Sequence, residues 1–562
     1  MTTSLIIPPG LILILGGLAL PLLARLGLRA AALIVLPLLS LWLVWTLPDG
    51  AVLSTPYLGQ DLIFVRADQL SRVFATVFAI MGFAGGLYAL NQKSTLELAA
   101  AFVYAGSAIS VSLAGDLVTV FIFWEIMAIA STVVIWSGGE SSSRSAGMRY
   151  AAIHMLGGAL FMAGLAGEVA ATGSTAFQAM DLSTTPRVLM LAGVLINAAA
   201  PPLSAWLADA YPESSWSGMV FLSAFTTKTA VYVLLRGFPG AEILIPIGLF
   251  MVFYGIIYAI LENDVRRILA YSIVNQVGFM VTAAGIGSEM AINGAAAHAF
   301  AHIIYKALLL MAVGSVVLMT GKRKCTELGG LFRSMPLTAV CCIIGALSIS
   351  AFPFTSGFAS KSLISSAAAY SQMEGVWLWL TIASAAVFLP DIKVPWFVFF
   401  NRDSGLRPAE PPLNKRLAMV LLAALCIALG VFPRTLYDML PYAVDYEPNT
   451  VAHVVYQLQL LGFAALVFFA GLKWLQPRDT ITLDVDWLWR RPGRTLAAFL
   501  DQFSGYTWQW VADRVTAGAE RLYRLMLSHH GPEGIFGRAW PTGLMAFWTT
   551  VMLGAVVILS YF

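Results

Sequence analysis

The sequence predicts an all-α polytopic membrane protein, on three observations. The 562 residues are 59% hydrophobic and only 11% charged, whereas a soluble domain has about 25% charged residues. Apolar runs of roughly 20 residues, the length that crosses a bilayer, recur along the chain. Basic residues concentrate in alternate loops. The net charge of +3 is too small to indicate a nucleic-acid partner, and no segment has the composition of a separate soluble domain.

The apolar runs predict about sixteen transmembrane helices. The N-terminus lacks the basic segment of a cleaved signal peptide, so its apolar run is interpreted as the first span. The spans are placed near residues 5–24, 28–47, 68–92, 97–115, 117–137, 147–171, 186–208, 214–236, 241–261, 267–287, 292–320, 336–371, 374–400, 414–434, 451–475 and 541–561.

The loop charges support this number and predict an orientation. With the N-terminus outside, the inner loops carry 15 Lys and Arg residues and the outer loops carry four. This imbalance follows the positive-inside rule. A missed or extra helix would exchange inner and outer loops in the later half of the chain, and the basic residues would no longer lie on one side. The four outer basic residues are Arg66, Arg187, Arg236 and Arg434.

Two spans are predicted to be broken. The seventh contains Pro201 and Pro202, and the twelfth contains Pro353 followed by Gly357. Proline removes a backbone donor and clashes with the preceding helical turn. Broken helices in corresponding places of two halves are typical of transporters with inverted repeats. The alternative is an ordinary proline kink, which membrane helices tolerate.

The pattern changes in the tail of the chain. From about Pro492 to His530 an apolar stripe alternates with charged residues, which favours an amphipathic helix lying along the membrane or a neighbouring subunit. It would reach roughly 50 Å. The organisation that follows is 1–96 N-terminal helices, 97–236 first inverted repeat, 237–400 second inverted repeat, 401–480 additional helices, and 481–562 lateral helix and final anchor.

The stretch Asn293–Met311 predicts a functional face. In a helix, His298, His302 and Lys306 lie at i, i+4 and i+8 and share one face of an apolar span. Ionisable groups at membrane depth are costly and usually mark a proton or ion path. The alternative for any one of them is a histidine bound to a backbone carbonyl, or a lysine reaching toward the interface.

Further ionisable residues lie in other spans. Glu125 and Lys228 are each surrounded by apolar residues, and Lys361 follows the second break. Such groups can shift each other's protonation, as a proton relay needs. The alternatives are a static Glu125–Lys228 ion pair and simple exposure of Lys361 near a loop. Asp391 and Lys393 are interpreted either as a further water-accessible pair or as the interface end of their helix.

No metal or cofactor is expected. The four cysteines, Cys325, Cys341, Cys342 and Cys426, lack the spacing of metal ligands. The paired histidines lack a convincing second axial ligand for haem. No feature indicates a quinone, flavin or iron–sulfur site, so any redox chemistry would lie in partner subunits.

Several ordered motifs carry a resemblance to a known family. They run from about residue 68 to 434 and comprise FWE with Glu125, PPLSAWLADAYPE at 201–213, FTTKTAVY around Lys228, DVRRILAYSIVNQVGF at 264–279, HAFAHIIYKALL at 298–309, LGGLFRSMP at 328–336 and ISAFPFTSGFASK ending at Lys361. Together they resemble the antiporter-like subunits shared by Mrp-type sodium/proton antiporters, respiratory complex I and membrane-bound hydrogenases. Within this family the motifs most resemble the D-type subunits of Mrp antiporters.

The resemblance implies a set of relay residues, namely Glu125, Lys228, His298, His302, Lys306 and Lys361. It also exposes a departure. Where most relatives carry a lysine that pairs with the acid of the fifth helix, this chain has Asn197, and a usual histidine is Ser204. Asparagine cannot titrate. The hypothesis is that water, or Lys228 in place of the missing lysine, connects Glu125 to the rest of the relay. The candidate relay or gating positions are Asn197, Ser204, Asp391 and Lys393.

The function expected from the resemblance is proton conduction within a multi-subunit cation/proton antiporter, with Na⁺ as the expected ion. The chain would be a transporter subunit and not an enzyme. It would lie in the lipid bilayer of a bacterial inner membrane, with the other subunits of an Mrp-type complex as partners. The alternatives are a pumping subunit of a complex I- or hydrogenase-type redox complex and a subunit of an inorganic-carbon uptake system with a modified relay.

Overall fold

A computed structural model describes residues 6–57, 59–479, 483–531, 534 and 541–561. Helices make up about three quarters of the chain. Its helices in the first half are α1 Pro9–Arg25, α2 Arg29–Thr46, α3 Gln69–Tyr88, α4 Thr95–Leu113, α5 Leu117–Trp136, α6 Ser141–Thr172, α7 Thr185–Asn197, α8 Trp206–Ala210, α9 Gly218–Leu222, α10 Thr226–Gly237, α11 Leu244–Leu261 and α12 Val265–Ile286.

The second half continues the helical pattern. Its helices are α13 Glu289–Thr320, α14 Pro336–Ile349, α15 Ser356–Tyr370, α16 Glu374–Ala386, α17 Phe388–Pro395, α18 Leu413–Val431, α19 Arg434–Tyr437, α20 Val451–Ala470, α21 Leu472–Leu475, α22 Asp486–Arg490, α23 Pro492–His530 and α24 Thr542–Ser560. Trp396–Phe400 extends α17 as a π-helical turn. Short 3₁₀ turns lie at Tyr211–Glu213 and Leu331–Arg333.

Thirteen helical segments of the described residues are long and apolar enough to cross a membrane, and three shorter apolar helices, α1, α7 and α14, accompany them. Each of the sixteen predicted spans overlaps one of these sixteen segments. The all-helical membrane class is therefore confirmed. The number of complete crossings, their orientation and the division into inverted repeats stay predictions.

A small β-hairpin between α2 and α3 was not expected from the sequence. Strand β1, Val52–Tyr57, pairs antiparallel with β2, Gln60–Arg66. The Asp116 carboxylate accepts a hydrogen bond from the backbone amide of Ile63 at 2.6 Å and also caps the N-terminus of α5. The hairpin is thereby fixed to the end of the bundle where α5 begins.

Two spans are interrupted where their prolines lie. Helix α7 ends at Asn197, before Pro201, and α14 ends at Ile349, before Pro353. Both ends use the same turn, in which Ala199 and Ala351 have positive φ angles of 60° and 57°. The amide of the residue before the proline closes each turn, by donating to the carbonyl oxygen five residues earlier at 3.0 Å in the first break and 2.9 Å in the second. These are the hydrogen bonds of a Schellman-type helix end.

A third span is interrupted without proline. Helix α9 ends at Leu222 and α10 begins at Thr226, so the predicted eighth span is two short helices with a gap between them. The sequence does not mark this break, because Ser223–Phe225 contains neither proline nor glycine.

The described chain forms two compact units, Met1–Asp486 and Trp487–Phe562. The first contains the apolar core built by α3, α4, α10, α12 and α13. The second contains α23, which is one continuous helix over the predicted range Pro492–His530. Its 39 residues correspond to a length of about 58 Å. Its lateral orientation stays a prediction.

Candidate functional site

Six ionisable side chains are buried together in the core of the first unit. Five come from α10, α13 and α15 and one from α17, and each is at most 3% exposed. Burial of an ionisable group costs free energy unless polar partners compensate. The partners therefore decide what each group can do. The side chains are Lys228, His298, His302, Lys306, Lys361 and Asp391, with Lys393 beside them.

Lys228 lies just after the gap between α9 and α10. Its Nζ donates to the carbonyl oxygen of Ser223 at 2.6 Å and to Oγ1 of Thr227 at 3.1 Å. The Ser223 carbonyl lies at the interruption, where backbone acceptors lack the next turn's amides. The break in the span thus supplies the ligand for the buried ammonium.

His298 connects three helices. One ring nitrogen, Nδ1, lies 2.9 Å from Oγ of Ser360 on α15, and the other, Nε2, lies 3.2 Å from Oε1 of Gln276 on α12. Tyr305 donates to the same Gln276 oxygen at 3.1 Å. Because both ring nitrogens have partners, His298 can pass a proton from one side of its ring to the other.

His302 lies one turn further along α13. Its ring is stacked 6.2 Å from that of His298 and lies 5.3 Å from the ring of Tyr305. Neither of its ring nitrogens has a hydrogen-bond partner among the described residues. A buried polar atom of this kind usually marks an ordered water or a functional site.

Lys306 and Asp391 are joined through a serine. Lys306 Nζ donates to Oγ of Ser272 at 2.8 Å, and Ser272 Oγ donates to Oδ1 of Asp391 at 3.2 Å. The second carboxylate oxygen of Asp391 is buried and has no partner among the described residues. Three helices, α13, α12 and α17, therefore meet at one hydrogen-bonded row.

Lys361 lies on α15, directly after the break that ends α14. Its Nζ donates to the carbonyl oxygen of Ile349 at 2.6 Å and lies 5.0 Å from the ring centre of Phe279. The break is tight, because a Cβ atom on Gly357 would lie 1.7 Å from the carbonyl oxygen of Ser348. Only glycine permits this approach of α15 to the end of α14. Simple exposure, the alternative for Lys361, does not describe a side chain that is 2% exposed.

A cavity of about 210 Å³ that contains several polar side chains adjoins Lys361. It is bounded by α15, α16 and α20 and by the segment before α20. Nδ1 of His453 and Nε2 of Gln457 line it and have no hydrogen-bond partner among the described residues. Several hydroxyl and amide groups around one cavity can hydrogen-bond to water molecules within it. The lining residues are Ala351, Phe358, Lys361, Ser362, Ser365, Ser366, Trp377, Thr381, Ser384, Tyr446, His453, Tyr456, Gln457 and Leu460.

Glu125 lies apart from these groups. Its half-buried carboxylate packs on α6, where a Cβ atom on Gly158 would lie 2.0 Å from Oε1. That oxygen has no hydrogen-bond partner, and no ion pair joins Glu125 to Lys228 within the described chain. The static ion pair of these two residues, the alternative to a relay, is therefore not observed in the described chain.

Asn197 and Ser204 lie at the break after α7. Asn197 Nδ2 donates to Gly193 O at 3.2 Å, and its Oδ1 is buried without a partner in the described chain. Its amide packs against Gly157, the neighbour of the glycine that contacts Glu125. The Ser204 hydroxyl is also buried without a partner among the described residues. Asparagine and the acid thus flank one glycine pair of α6 without a direct hydrogen bond.

Lys393 does not pair with Asp391. Its ammonium donates to the carbonyl oxygens of Ile260 and Glu262, at the end of α11. Asp391, two residues earlier, is turned toward Ser272. The two side chains serve different parts of the bundle: Lys393 caps a helix end, and Asp391 belongs to the buried row.

Ion pairs hold the segments that connect helices near the site. Arg323 pairs with Glu213 at 3.1 Å and also with Asp264. Burial alone would raise the pKa of Glu213, but hydrogen bonding to Ser142 and the Arg323 charge hold it below its usual value. Arg149 on α6 binds Asp209 on α8 through two contacts, of 2.6 and 2.8 Å. These pairs fix the segment that follows the first break.

The neutral partners of these groups were not predicted from the sequence. Ser272 and Gln276 lie at i and i+4 on α12, within the quoted motif at 264–279. They share a helix face with Phe279, which lies under Lys361. Two polar residues at helical spacing in an apolar span are the signal that could have identified this face. Ser360, one residue before Lys361, offered no such signal.

Comparison with known proteins agrees with the helical membrane fold. Residues 114–389 match the family model described as NADH:quinone oxidoreductase/Mrp antiporter, TM. A chain in the structure of the Mrp complex from Dietzia sp. superposes with a TM-score of 0.73 at 21% sequence identity, covering 98% of this chain and 62% of that chain. At this identity the likeness shows the fold.

Two curated relatives illustrate the range of the similarity. The D-type subunit of the Na⁺/H⁺ antiporter of Alkalihalophilus pseudofirmus is 32% identical over 269 residues, which are 44% of this chain and 54% of that protein. Hydrogenase-4 component B of Escherichia coli is 27% identical over 495 residues, which are 76% of this chain and 73% of that protein. The chain thus spans about half the length of the antiporter subunit and most of the hydrogenase component.

Proposed function

We propose that the chain is a member of the NADH:quinone oxidoreductase/Mrp antiporter transmembrane family, whose model matches residues 114–389, and that it is the proton-conducting subunit of a multi-subunit monovalent cation/proton antiporter. The observation that carries the proposal is the row of buried titratable groups on neighbouring helices. Each is too costly to keep in a membrane core for packing alone.

The proposed path runs from Glu125 through Lys228 to the histidines, Lys306 and Lys361. His302 is close enough to Lys228 and Lys306 to interact with both electrostatically, which supports its place between them. Its unpartnered ring nitrogens suit ordered water as the carrier across the gaps. A water-bridged step also replaces the lysine that is absent at position 197.

Two half-channels connect this path to the two sides of the membrane. The interrupted spans that hold Lys228 and Lys361 provide backbone carbonyls inside the bundle, as in transporters with broken helices. The cavity beside Lys361 supports one half-channel. If the N-terminus lies outside a bacterial inner membrane, as the loop charges predict, this cavity would open on the outer side. The five-part organisation of the chain, 1–96, 97–236, 237–400, 401–480 and 481–562, is part of this proposal.

The chain works with partner subunits and is not itself an enzyme. The relative named as a Na⁺/H⁺ antiporter subunit supports Na⁺ as the coupled ion and the other subunits of such an antiporter as partners. The lateral orientation of α23 would bring one neighbour to the chain. Lipid surrounds the bundle, and nucleic acid has no role.

Two rival functions have a specific observation in their favour. The similarity to a hydrogenase component favours a pumping subunit of a redox complex, with the redox centres in partners. Asn197, with Glu125 unpaired, favours a modified relay in an uptake system, for example for inorganic carbon. Genes encoding small antiporter subunits, redox subunits or a soluble uptake protein beside this one would separate the three.

The test is cation-dependent collapse of a pH gradient in everted vesicles that contain the whole complex. Collapse on addition of Na⁺ that is lost in Glu125→Gln supports the antiporter and places Glu125 on the path. Collapse that survives the substitution removes Glu125 from the path. The absence of cation-dependent collapse in the native complex contradicts the antiporter function.

A further inference from the structure

The two halves of the relay differ in how their acids are partnered. Glu125 in the first half has no hydrogen bond or ion pair to a lysine in the described chain. Asp391 in the second half is connected to Lys306 through Ser272. We propose that Asp391 is the acid that exchanges a proton with Lys306, with the Ser272 hydroxyl carrying the proton between them. This inference rests on the proposed function and deepens it.

The direction of the hydrogen bonds is the first argument. Lys306 Nζ donates to Ser272 Oγ at 2.8 Å, and Ser272 Oγ donates to Asp391 Oδ1 at 3.2 Å. Ammonium, hydroxyl and carboxylate thus form a continuous donor-to-acceptor row. Because each group donates to the next, a proton can pass from Lys306 to Asp391 while every group keeps its hydrogen-bond partners.

The step balances in protons and charge. One N–H bond of the Lys306 ammonium breaks and its proton binds Ser272 Oγ, while the serine's own proton passes to Asp391 Oδ1. A +1 ammonium and a −1 carboxylate become a neutral amine and a neutral carboxylic acid. The serine ends as the hydroxyl that it was at the start, with its hydrogen bond reversed.

The geometry differs from that of a static ion pair. Among the described residues no direct salt bridge joins Lys306 to Asp391, because the serine lies between them. A buried structural pair is kept by close contact and full hydrogen bonding of both charges. Here Oδ2 of Asp391 has no partner in the described chain, although the residue is only 3% exposed. An unsatisfied carboxylate oxygen is open to a proton or to a water molecule.

The charged surroundings let the acid serve two lysines. Lys306 on α13 and Lys361 on α15 are both close enough to Asp391 to interact with it electrostatically. Tyr305, also on α13, is another titratable group near the carboxylate. One carboxylate shared by two ammonium groups can release a proton toward either. Asp391 can therefore interact both with the middle of the proposed path and with the lysine beside the cavity.

The experiment uses the whole complex in everted vesicles and compares Asp391→Asn with Asp391→Glu. Asparagine keeps the size of the side chain and accepts the Ser272 hydrogen bond, but it does not titrate. We expect at least a tenfold loss of cation-dependent pH-gradient collapse in D391N, and activity with a shifted pH profile in D391E. Asp403→Asn is the matched control, since Asp403 pairs with Arg407 on an exposed loop, and its rate should stay within twofold of native.

Ser272→Ala provides a second test that leaves every charge in place. It removes the bridge, so we expect a several-fold lower rate and an altered pH profile with the complex fully assembled. If the D391N complex does not assemble, the S272A complex is the deciding variant. A native rate and a native pH profile in S272A would overturn the inference. An assembled D391N complex as fast as native also overturns it. In both cases an active native complex leaves the proposed function standing, whereas an inactive native complex removes the proposed function itself.

Discussion

The ammonium of Lys361 lies 2.6 Å from the carbonyl oxygen of Ile349, the residue at which α14 ends. The ammonium of Lys228 has the same relationship, also at 2.6 Å, to Ser223 in the gap between α9 and α10. Each lysine takes the place of a backbone amide that the interrupted helix lacks. A charged donor binds a carbonyl more strongly than a neutral amine does, so proton release from either lysine weakens the contact at a helix end.

Lys361→Met should reduce cation-dependent pH-gradient collapse at least tenfold. The methionine keeps the length of the side chain but cannot carry a proton. The Ile349 carbonyl loses its donor, at a cost of about 1–3 kcal/mol, while removal of a buried charge offsets part of this. The complex should therefore assemble.

Lys322→Met is the control for this prediction. Lys322 lies in the loop after α13 and pairs with Glu327 at 3.1 Å, with both side chains well exposed. Its loss should leave transport unchanged. Equal rates in K361M and native vesicles would remove Lys361 from the path.

Asn197→Lys should lower transport several-fold. Asn197 and Glu125 contact adjacent glycines of α6, so a lysine there would place an ammonium near the carboxylate. A fixed positive charge stabilises the ionised form of an acid. In the proposed path, which has no such partner for Glu125, the added charge would hold Glu125 deprotonated. The rate of pH-gradient collapse in everted vesicles is the measurement.

Asn197→Met separates charge from volume in the same assay, because it fills the site with an unbranched apolar side chain. Its rate should exceed that of N197K. Faster transport in N197K than in the native complex would instead mean that the asparagine is a lost lysine and that the family's usual pair can be restored.

Gly357→Ala should destabilise the fold. The new Cβ would lie 1.7 Å from the Ser348 carbonyl oxygen, so α15 must move away from the end of α14. Overpacking of this kind costs typically about 1–3 kcal/mol. The measurement is the thermal unfolding of the purified complex in detergent, with the yield of assembled complex alongside.

Gly375→Ala is the matched control. Gly375 lies in the first turn of α16, and nothing lies within 4 Å of the position of its added Cβ. The substitution should leave the unfolding temperature unchanged or raise it slightly, since alanine restricts the unfolded chain more than glycine. A G357A protein as stable as G375A would show that the approach of the two helices relaxes without cost.

The spans were predictable from the sequence because membrane crossing demands long apolar runs, and proline marks two of the three breaks. The break between α9 and α10 left no such mark. The β1–β2 hairpin was missed as well, since Val52–Arg66 is short and lies between two strong spans. In each case the missing information is tertiary: a carbonyl or a strand edge is stabilised by groups from elsewhere in the chain.

The buried ionisable residues were predictable one by one, because a charge within an apolar span stands out. Their connections were not. Asp391 and Lys393 are two residues apart, yet they bind partners on α12 and at the end of α11, respectively. Ser272 is an ordinary residue in the sequence, and only the packing of three helices makes it the bridge between Lys306 and Asp391.

The alanines at the two proline breaks have a mechanical consequence. Left-handed backbone costs about 1 kcal/mol or more for a residue with a Cβ atom, and glycine would adopt it without that cost. Ala199 and Ala351 nevertheless hold it. Alanine has far fewer alternative backbone conformations than glycine. The turns at Ala199 and Ala351 should therefore keep their backbone angles and not act as hinges. The backbone at these two breaks is therefore more restricted than a glycine at the same position would leave it.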